Sequence, residues 1–207
     1  MAVSLFQKRG YQILKEAIPK NVATFVYNYF KIKREVLLTF KKEKYISPYS
    51  NDWGCFNDPQ AFGSFSHYSD IAMETLLIMV QPYIEKKIKT QLIPTYSYAR
   101  IYNNTSELKK HVDRFSCEIS CTMHLGGDYK WPIFLKKGKK DISINLGIGD
   151  LLLYKGQEIE HWREPYLGQD YAQVFLHYND ASTPKGADNM FDTRAHIGLP
   201  STFKKIK

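Results

Sequence analysis

His111-Val112-Asp113 sets an imidazole and a carboxylate two residues apart, and in an extended segment that spacing turns both toward one side. Both are metal donors. A second histidine, His161, follows downstream, behind Gly149-Asp-Leu-Leu-Leu-Tyr154-Lys-Gly156. Two imidazoles and one carboxylate on one face of a metal leave coordination positions open for a chelating cosubstrate and then dioxygen, as non-haem iron(II) chemistry requires. A closed set of four donors would point to structural zinc instead. Taken alone, His111 and Asp113 also read as a surface ion pair; His161 gives the pair its weight.

These groups need strands to hold them. Tyr96, Tyr98, Arg100 and Tyr102 alternate with Ser97, Ala99 and Ile101, so one face of a strand beginning near Pro94 carries three tyrosines and an arginine. Further strands are expected at 116–125, 131–135, 141–145, 150–154, 157–163 and 171–178. Turn-forming stretches such as Gly126-Gly127-Asp128 and Leu167-Gly168-Gln169 separate them. Upstream, Asn21 can cap a helix over 21–31 that places Val22, Phe25, Val26, Tyr29 and Phe30 on one face. A second helix is expected over 71–81, with Met73, Leu76, Leu77 and Val80 buried and a disturbance near Pro82. Residues 46–69, rich in Ser, Asn, Asp, Pro, Gly and aromatics, read as a long irregular segment, either a substrate-covering loop or a plain connection. Helices followed by short strands at roughly ten-residue spacing indicate an α+β chain with an antiparallel barrel or sandwich, the jelly roll among them.

A chain of 207 residues suits one domain, and 43% hydrophobic with 24% charged residues is a globular composition. The net charge of +8 is scattered over runs such as Lys136-Lys137-Gly138-Lys139-Lys140 and Lys204-Lys205-Ile206-Lys207. No helix-turn-helix, zinc finger or aromatic RNA-binding motif accompanies it, which argues against a nucleic-acid partner. No apolar run of signal-peptide or membrane-span length is present, so a cytoplasmic protein without a membrane role is expected. Cys55, Cys117 and Cys121 form no paired motif and are read as free, mostly buried thiols.

Tyr98-Ala-Arg-Ile-Tyr102, Lys110-His111-Val-Asp113-Arg114, Gly149-Asp-Leu-Leu-Leu-Tyr154, His161-Trp-Arg-Glu-Pro165 and Gln173-Val-Phe-Leu-His-Tyr178 occur in this order. In order and spacing they resemble the 2-oxoglutarate/iron(II)-dependent oxygenase superfamily, nearest to its prolyl-hydroxylase branch. The resemblance covers about residues 95–180. It implies a double-stranded β-helix (jelly-roll) core, placed at 94–180, and does not cover the N-terminal helices or the tail; helical support at 1–93 and a C-terminal tail at 181–207 complete the expected single oxygenase domain, 1–207. It also implies His111, Asp113 and His161 as the iron ligands and catalytic centre. Relatives place an Arg or Lys about nine or ten residues after the distal histidine to hold the far carboxylate of 2-oxoglutarate; here Asp170 and Tyr171 stand there, and an aspartate repels a dicarboxylate.

Strand alternation from His161 makes Arg163 the first candidate for that anchor, its alternative being a surface pair with Glu164. Arg100 is the second candidate. Tyr102 matches a tyrosine that lines the cosubstrate pocket of the relatives, and His124 falls where they carry another, as a hydrogen-bond donor or as a core histidine. Gln173 can add an amide to the same pocket, and His177 is either core or close to the metal. Arg114 and Glu118 line the entrance or form an ordinary salt-bridged strand end, and Trp131 reads as core before substrate platform.

The resemblance implies a dioxygenase that hydroxylates a C–H bond of a prolyl peptide, an amino acid or another small molecule. Its cofactors would be Fe(II), 2-oxoglutarate as cosubstrate and O2, with ascorbate as a stimulant and succinate and CO2 as products. Two rivals stand beside it. One is a nucleic-acid base demethylase of the same superfamily, favoured by the +8 charge. The other is a β-barrel module that binds a metal or ligand without turnover, favoured by the missing anchor.

Overall fold

The computed structural model describes residues 3–204, so the basic run beyond Lys204 lies outside the described residues. Ser4 and Gln7 exchange side-chain hydrogen bonds with each other's backbone N–H groups, a capping box that starts α1 (Leu5–Arg9). Gly10, in the left-handed region at φ 79°, ends it and hands the chain to β1 (Tyr11–Leu14). Helix α2 (Lys20–Lys42) begins with Pro19 at the cap position, so Asn21 lies inside the first turn instead of capping it. It runs well past residue 31 because 32–42 are largely good helix formers and Leu37 joins the core.

The irregular segment after α2 contains β2 (Phe65–Tyr68). Asp70 then caps α3 (Ile71–Ile88), accepting the N–H groups of Ala72 and Met73. The helix passes through Pro82; Ile84 and Ile88, buried beyond it, keep the last turns on the core. The remaining strands are β3 (Leu92–Tyr102), β4 (Leu108–His111), β5 (Ile119–Gly127), β6 (Ile133–Lys137), β7 (Lys140–Ile144), β8 (Leu151–Lys155), β9 (His161–Arg163) and β10 (Tyr171–Asp180). A short helix, α4 (Pro184–Ala187), follows. The strand expected at 157–163 shrinks to its end because the backbone N–H groups of Glu158 and Ile159 both turn back to the Lys155 carbonyl. Pro94 is accommodated inside β3 by a bulge: Tyr96 faces His177 and Pro94 faces Tyr178, leaving Thr95 as the extra residue.

Every strand pair is antiparallel. A six-stranded sheet has the order β1-β8-β5-β10-β3-β2 and a four-stranded sheet the order β4-β9-β6-β7. The outer face of the large sheet carries residues such as Ala99, Ile101, Met123, Leu153 and Val174. They form one core with Phe30, Leu37, Leu76 and Leu77 of α2 and α3. Its inner face turns to the small sheet, where Leu152 and Tyr154 meet Ile133, Leu135 and Ile144. That inner face also buries Arg100, Thr122, Gln173 and His177. Polar groups removed from water need partners, and so the inner face is where a ligand site is to be sought.

Cys117 and Cys121 are buried, Cys55 is half-buried, and none forms a disulfide. Among the described residues no helix is long and apolar enough to cross a membrane.

Candidate metal centre

His111 ends β4 directly opposite His161, the first residue of β9, and their rings lie 4.2 Å apart. Asp113 follows β4, and its N–H donates to the Gly156 carbonyl at 2.8 Å, so the turn after β8 fixes its backbone. One carboxylate oxygen, Oδ1, lies 3.7 Å from Nε2 of each histidine. Ligand atoms of the three residues fall within 4.8 Å of one another. Both tautomers follow from the backbone. His111 Nδ1 contacts the Lys109 carbonyl at 2.7 Å and His161 Nδ1 contacts the Ile159 carbonyl at 3.0 Å. A carbonyl only accepts, so each Nδ1 carries the proton and each Nε2 turns a lone pair toward Asp113. Burial lowers the pKa of His161 despite the opposing charge of Asp113, which keeps the imidazole neutral and able to ligate.

A cavity of about 460 Å³ opens on this triad, walled by Tyr96, Tyr98, Phe175, His177, Arg100 and Arg114. Arg100 is fully buried and its charge is engaged. It contacts the Asp58 carboxylate and donates to the Tyr102 hydroxyl at 2.8 Å, and Tyr98 also donates to Asp58 at 2.5 Å. Burial pushes the Asp58 carboxyl up, but the Arg100 charge and the hydrogen bonds outweigh it and hold the group below its ordinary range. Thus the irregular segment 46–69 is pinned at the cavity through Asp58, with Gln60 on the wall. Arg114 makes a two-pronged contact with Asp192 at 2.8 Å on each arm; Glu118 accepts instead from the Asn179 side chain and the Asp180 N–H.

Arg163 shares the inner face with His161, about 7 Å further along the strand. Its guanidinium lies between the rings of Trp131 and Tyr171, at 4.7 and 5.0 Å. It donates to the Trp131 carbonyl and, at 2.8 Å, to the side-chain oxygen of Gln173. Among the described residues no carboxylate pairs with it. The Arg163 Nε, Gln173 Nε2, His124 Nε2 and Thr122 Oγ1 are buried without hydrogen-bond partners, and His124 is the cross-strand neighbour of Gln173. A buried cation surrounded by unmatched polar atoms is costly unless an anion completes it.

His124 stacks on Tyr171 at 4.5 Å and donates Nδ1–H to the Leu146 carbonyl. It borders a separate cavity of about 340 Å³, not the one that opens on the triad. Burial and the Arg163 charge lower its pKa. Asp170 turns away to the helix layer and pairs with Arg34 of α2 at 2.7 Å. Trp131 is core, as its composition suggests, but it also covers Arg163.

Sequence reasoning missed Asp58, Ser120, Gly156 and Asp192. Asp58 and Asp192 act on partners 42 and 78 residues away, whereas Ser120 acts on Asp113 seven residues away across an irregular turn. At Gly156 a Cβ would collide with the Cys117 carbonyl oxygen and sit 2.5 Å from Asp113 Oδ2, so the turn must be glycine.

No family model and no curated protein matches this sequence. Solved structures do match its fold. A prolyl-4-hydroxylase from Pseudomonas putida superposes with a TM-score of 0.62 at 12% identity, over 84% of this chain and 95% of that one. HygX from Streptomyces hygroscopicus, with nickel and 2-oxoglutarate bound, gives 0.58 at 10% identity, over 85% of each chain. The non-haem α-ketoglutarate-dependent epimerase SnoN from nogalamycin biosynthesis gives 0.62 at 13% identity, over 98% of this chain and 92% of that one. The chain thus shares its fold with prolyl hydroxylases and other 2-oxoglutarate-dependent enzymes.

Proposed function

We propose that this chain is an iron(II)- and 2-oxoglutarate-dependent oxygenase, its two facing sheets forming the double-stranded β-helix of a single domain. The observation that carries the reading is the convergence of His111 Nε2, His161 Nε2 and Asp113 Oδ1, with both histidines in the ligating tautomer. The donor set fits the metal: two imidazoles and one carboxylate suit iron(II) and leave positions open. Arg163 and Gln173 suit the cosubstrate, because the guanidinium Nε and the amide Nε2 have no partner and a carboxylate would satisfy both.

Bound iron(II), 2-oxoglutarate and dioxygen together supply the oxidising power for C–H hydroxylation, with succinate and CO2 released. The chain supplies the rest. His111, Asp113 and His161 hold the metal, and Arg163 with Gln173 fixes the far carboxylate. Trp131 and Tyr171 keep water from the guanidinium. Tyr102, whose hydroxyl accepts from Arg100, still has its own proton to donate. The substrate enters from the cavity lined by Tyr96, Tyr98 and Phe175, whose rings suit an apolar or cyclic group such as a prolyl ring. The fold neighbours include a hydroxylase and an epimerase, so hydroxylation as the outcome is part of this proposal.

Anaerobic calorimetry tests it. Wild type should bind one iron(II) and then 2-oxoglutarate, and His111→Ala, Asp113→Ala and His161→Ala should each lose the metal while keeping a folded spectrum. Full metal occupancy in any of the three would refute the ligand assignment.

A further inference from the structure

Only Oδ1 of Asp113 faces the histidines; Oδ2 accepts the hydroxyl of Ser120 at 2.6 Å. Ser120 is fully buried on β5, and its oxygen lies 3.1 Å from Nδ1 of His177, its cross-strand partner on β10. The same hydroxyl lies 3.0 Å from the Cys117 carbonyl. A hydroxyl has one proton to give, and a carboxylate at the shorter distance is the stronger acceptor. With its proton directed at Asp113, Ser120 Oγ can only accept from His177. Nδ1 of His177 therefore carries a proton and Nε2 a lone pair. His177 lines the cavity above the triad, and among the described residues its Nε2 has no hydrogen-bond partner. Gly156 closes the arrangement from the other side, where a Cβ would lie 2.5 Å from Asp113 Oδ2 and 2.7 Å from Ser120 Oγ.

We propose that Ser120 is the positioning residue for the metal-facing carboxylate of Asp113, and that His177, fixed through Ser120 in the Nδ1–H tautomer, presents an acceptor nitrogen to the substrate cavity. The proposal rests on His111, Asp113 and His161 being the metal centre. Its chemical logic is orientation: with Oδ2 held by a buried hydroxyl, Asp113 keeps Oδ1 on the metal side and does not rotate to present both oxygens. A hydrogen-bonded partner behind a metal ligand is worth about ten- to a hundredfold in metal affinity. The tautomer makes this wall of the cavity complementary to an N–H or O–H of the substrate, not to a carbonyl.

Cobalt(II), a spectroscopic substitute for iron(II), is titrated into wild type and into Ser120→Ala, Ser120→Thr and Asp113→Ala. Asp113→Ala tests the centre itself, and if wild type binds no cobalt the underlying reading falls. With wild type binding, Ser120→Ala should bind about ten- to a hundredfold more weakly and show an altered ligand-field spectrum. Ser120→Thr, which keeps the hydroxyl, should recover most of the affinity. Nitrogen NMR of labelled, zinc-loaded wild type should place the His177 proton on Nδ1, a readout that holds even if Ser120→Ala does not fold. Wild-type affinity and spectrum in Ser120→Ala would overturn the proposal. So would a His177 proton on Nε2, or a second cobalt with a thiolate band at the neighbouring Asp113, Cys117 and His177 cluster.

Discussion

Arg163 and Gln173 lie on facing sheets, joined by a 2.8 Å hydrogen bond from the guanidinium to the amide oxygen, and the remaining Arg163 Nε and Gln173 Nε2 have no acceptor. A buried cation with unmatched donors favours an anion beside it, and Arg163 shares its face of β9 with His161, the proposed metal ligand.

Arg163→Ala should therefore weaken 2-oxoglutarate binding by about 2–4 kcal/mol, the scale for removing one partner of a desolvated charge pair, with metal affinity nearly unchanged. Arg163→Lys should recover only part, since an ammonium lacks the planar fork. Calorimetry on the metal-loaded protein separates the two affinities. Normal 2-oxoglutarate binding in Arg163→Ala, with loss in Arg100→Ala, would move the anchor to Arg100.

Arg100 should instead report on the segment over the cavity. Arg100→Ala leaves the Asp58 carboxylate buried beside Tyr98 without its cation, a loss of about 3–5 kcal/mol for a broken buried pair. At about 2–4 °C per kcal/mol for a chain of this size, Tm should fall by roughly 6–20 °C. Thermal unfolding measures the fall, and limited proteolysis should show cleavage moving into 46–64. An unchanged Tm would mean that the pair contributes nothing net.

Much of this site was legible in the sequence, and the limits of that reading are physical. Period-two alternation correctly put Tyr96, Tyr98, Arg100 and Tyr102 on one face, and His161 with Arg163 on another. The faces of α2 and α3 followed from helical spacing, although Pro82 did not stop α3 because burial of Ile84 and Ile88 outweighs one lost backbone bond. Pairs that close long loops left no local trace: Asp58 with Arg100 and Arg114 with Asp192. Ser120 and Asp113 are only seven residues apart, but the turn Phe115–Cys117 between them follows no strand or helix period. The Thr95 bulge and the short strand β4 depend on partners elsewhere in the chain, which no local pattern encodes.

Acid should destabilise the protein chiefly through its two most depressed carboxylates, Asp70 and Asp192, with Asp58 adding to them. Burial raises the Asp70 carboxyl, but His67, Lys33 and Tyr29 outweigh it; burial likewise opposes Arg114, Lys204 and Ser116 at Asp192, and both groups are held well below the ordinary range. A carboxyl depressed in the folded state stabilises the fold above its unfolded value, about 3.9, and that contribution is lost as pH falls from there toward the folded value. Urea midpoints should drop steeply below about pH 4, and less steeply in Asp192→Asn. A midpoint equal at about pH 3 and pH 6 would contradict this linkage.

Gly156→Ala should abolish tight metal binding without touching a ligand. The added methyl would meet the Cys117 carbonyl oxygen as well as Asp113 Oδ2 and Ser120 Oγ, so the backbone of the turn must shift and the Asp113 carboxylate with it. Cobalt titration and circular dichroism together check it; full affinity in a folded Gly156→Ala protein would show that the turn yields freely.

The most direct test of the oxygenase reading follows the cosubstrate. Wild-type protein is given iron(II), ascorbate, oxygen and 2-oxoglutarate labelled at its first carboxyl, and released labelled CO2 is measured beside Asp113→Ala. Release from wild type, with none above background from Asp113→Ala, is the predicted result. Equal release from both proteins, or none from a wild type that has been shown to hold iron(II) and 2-oxoglutarate, would contradict it.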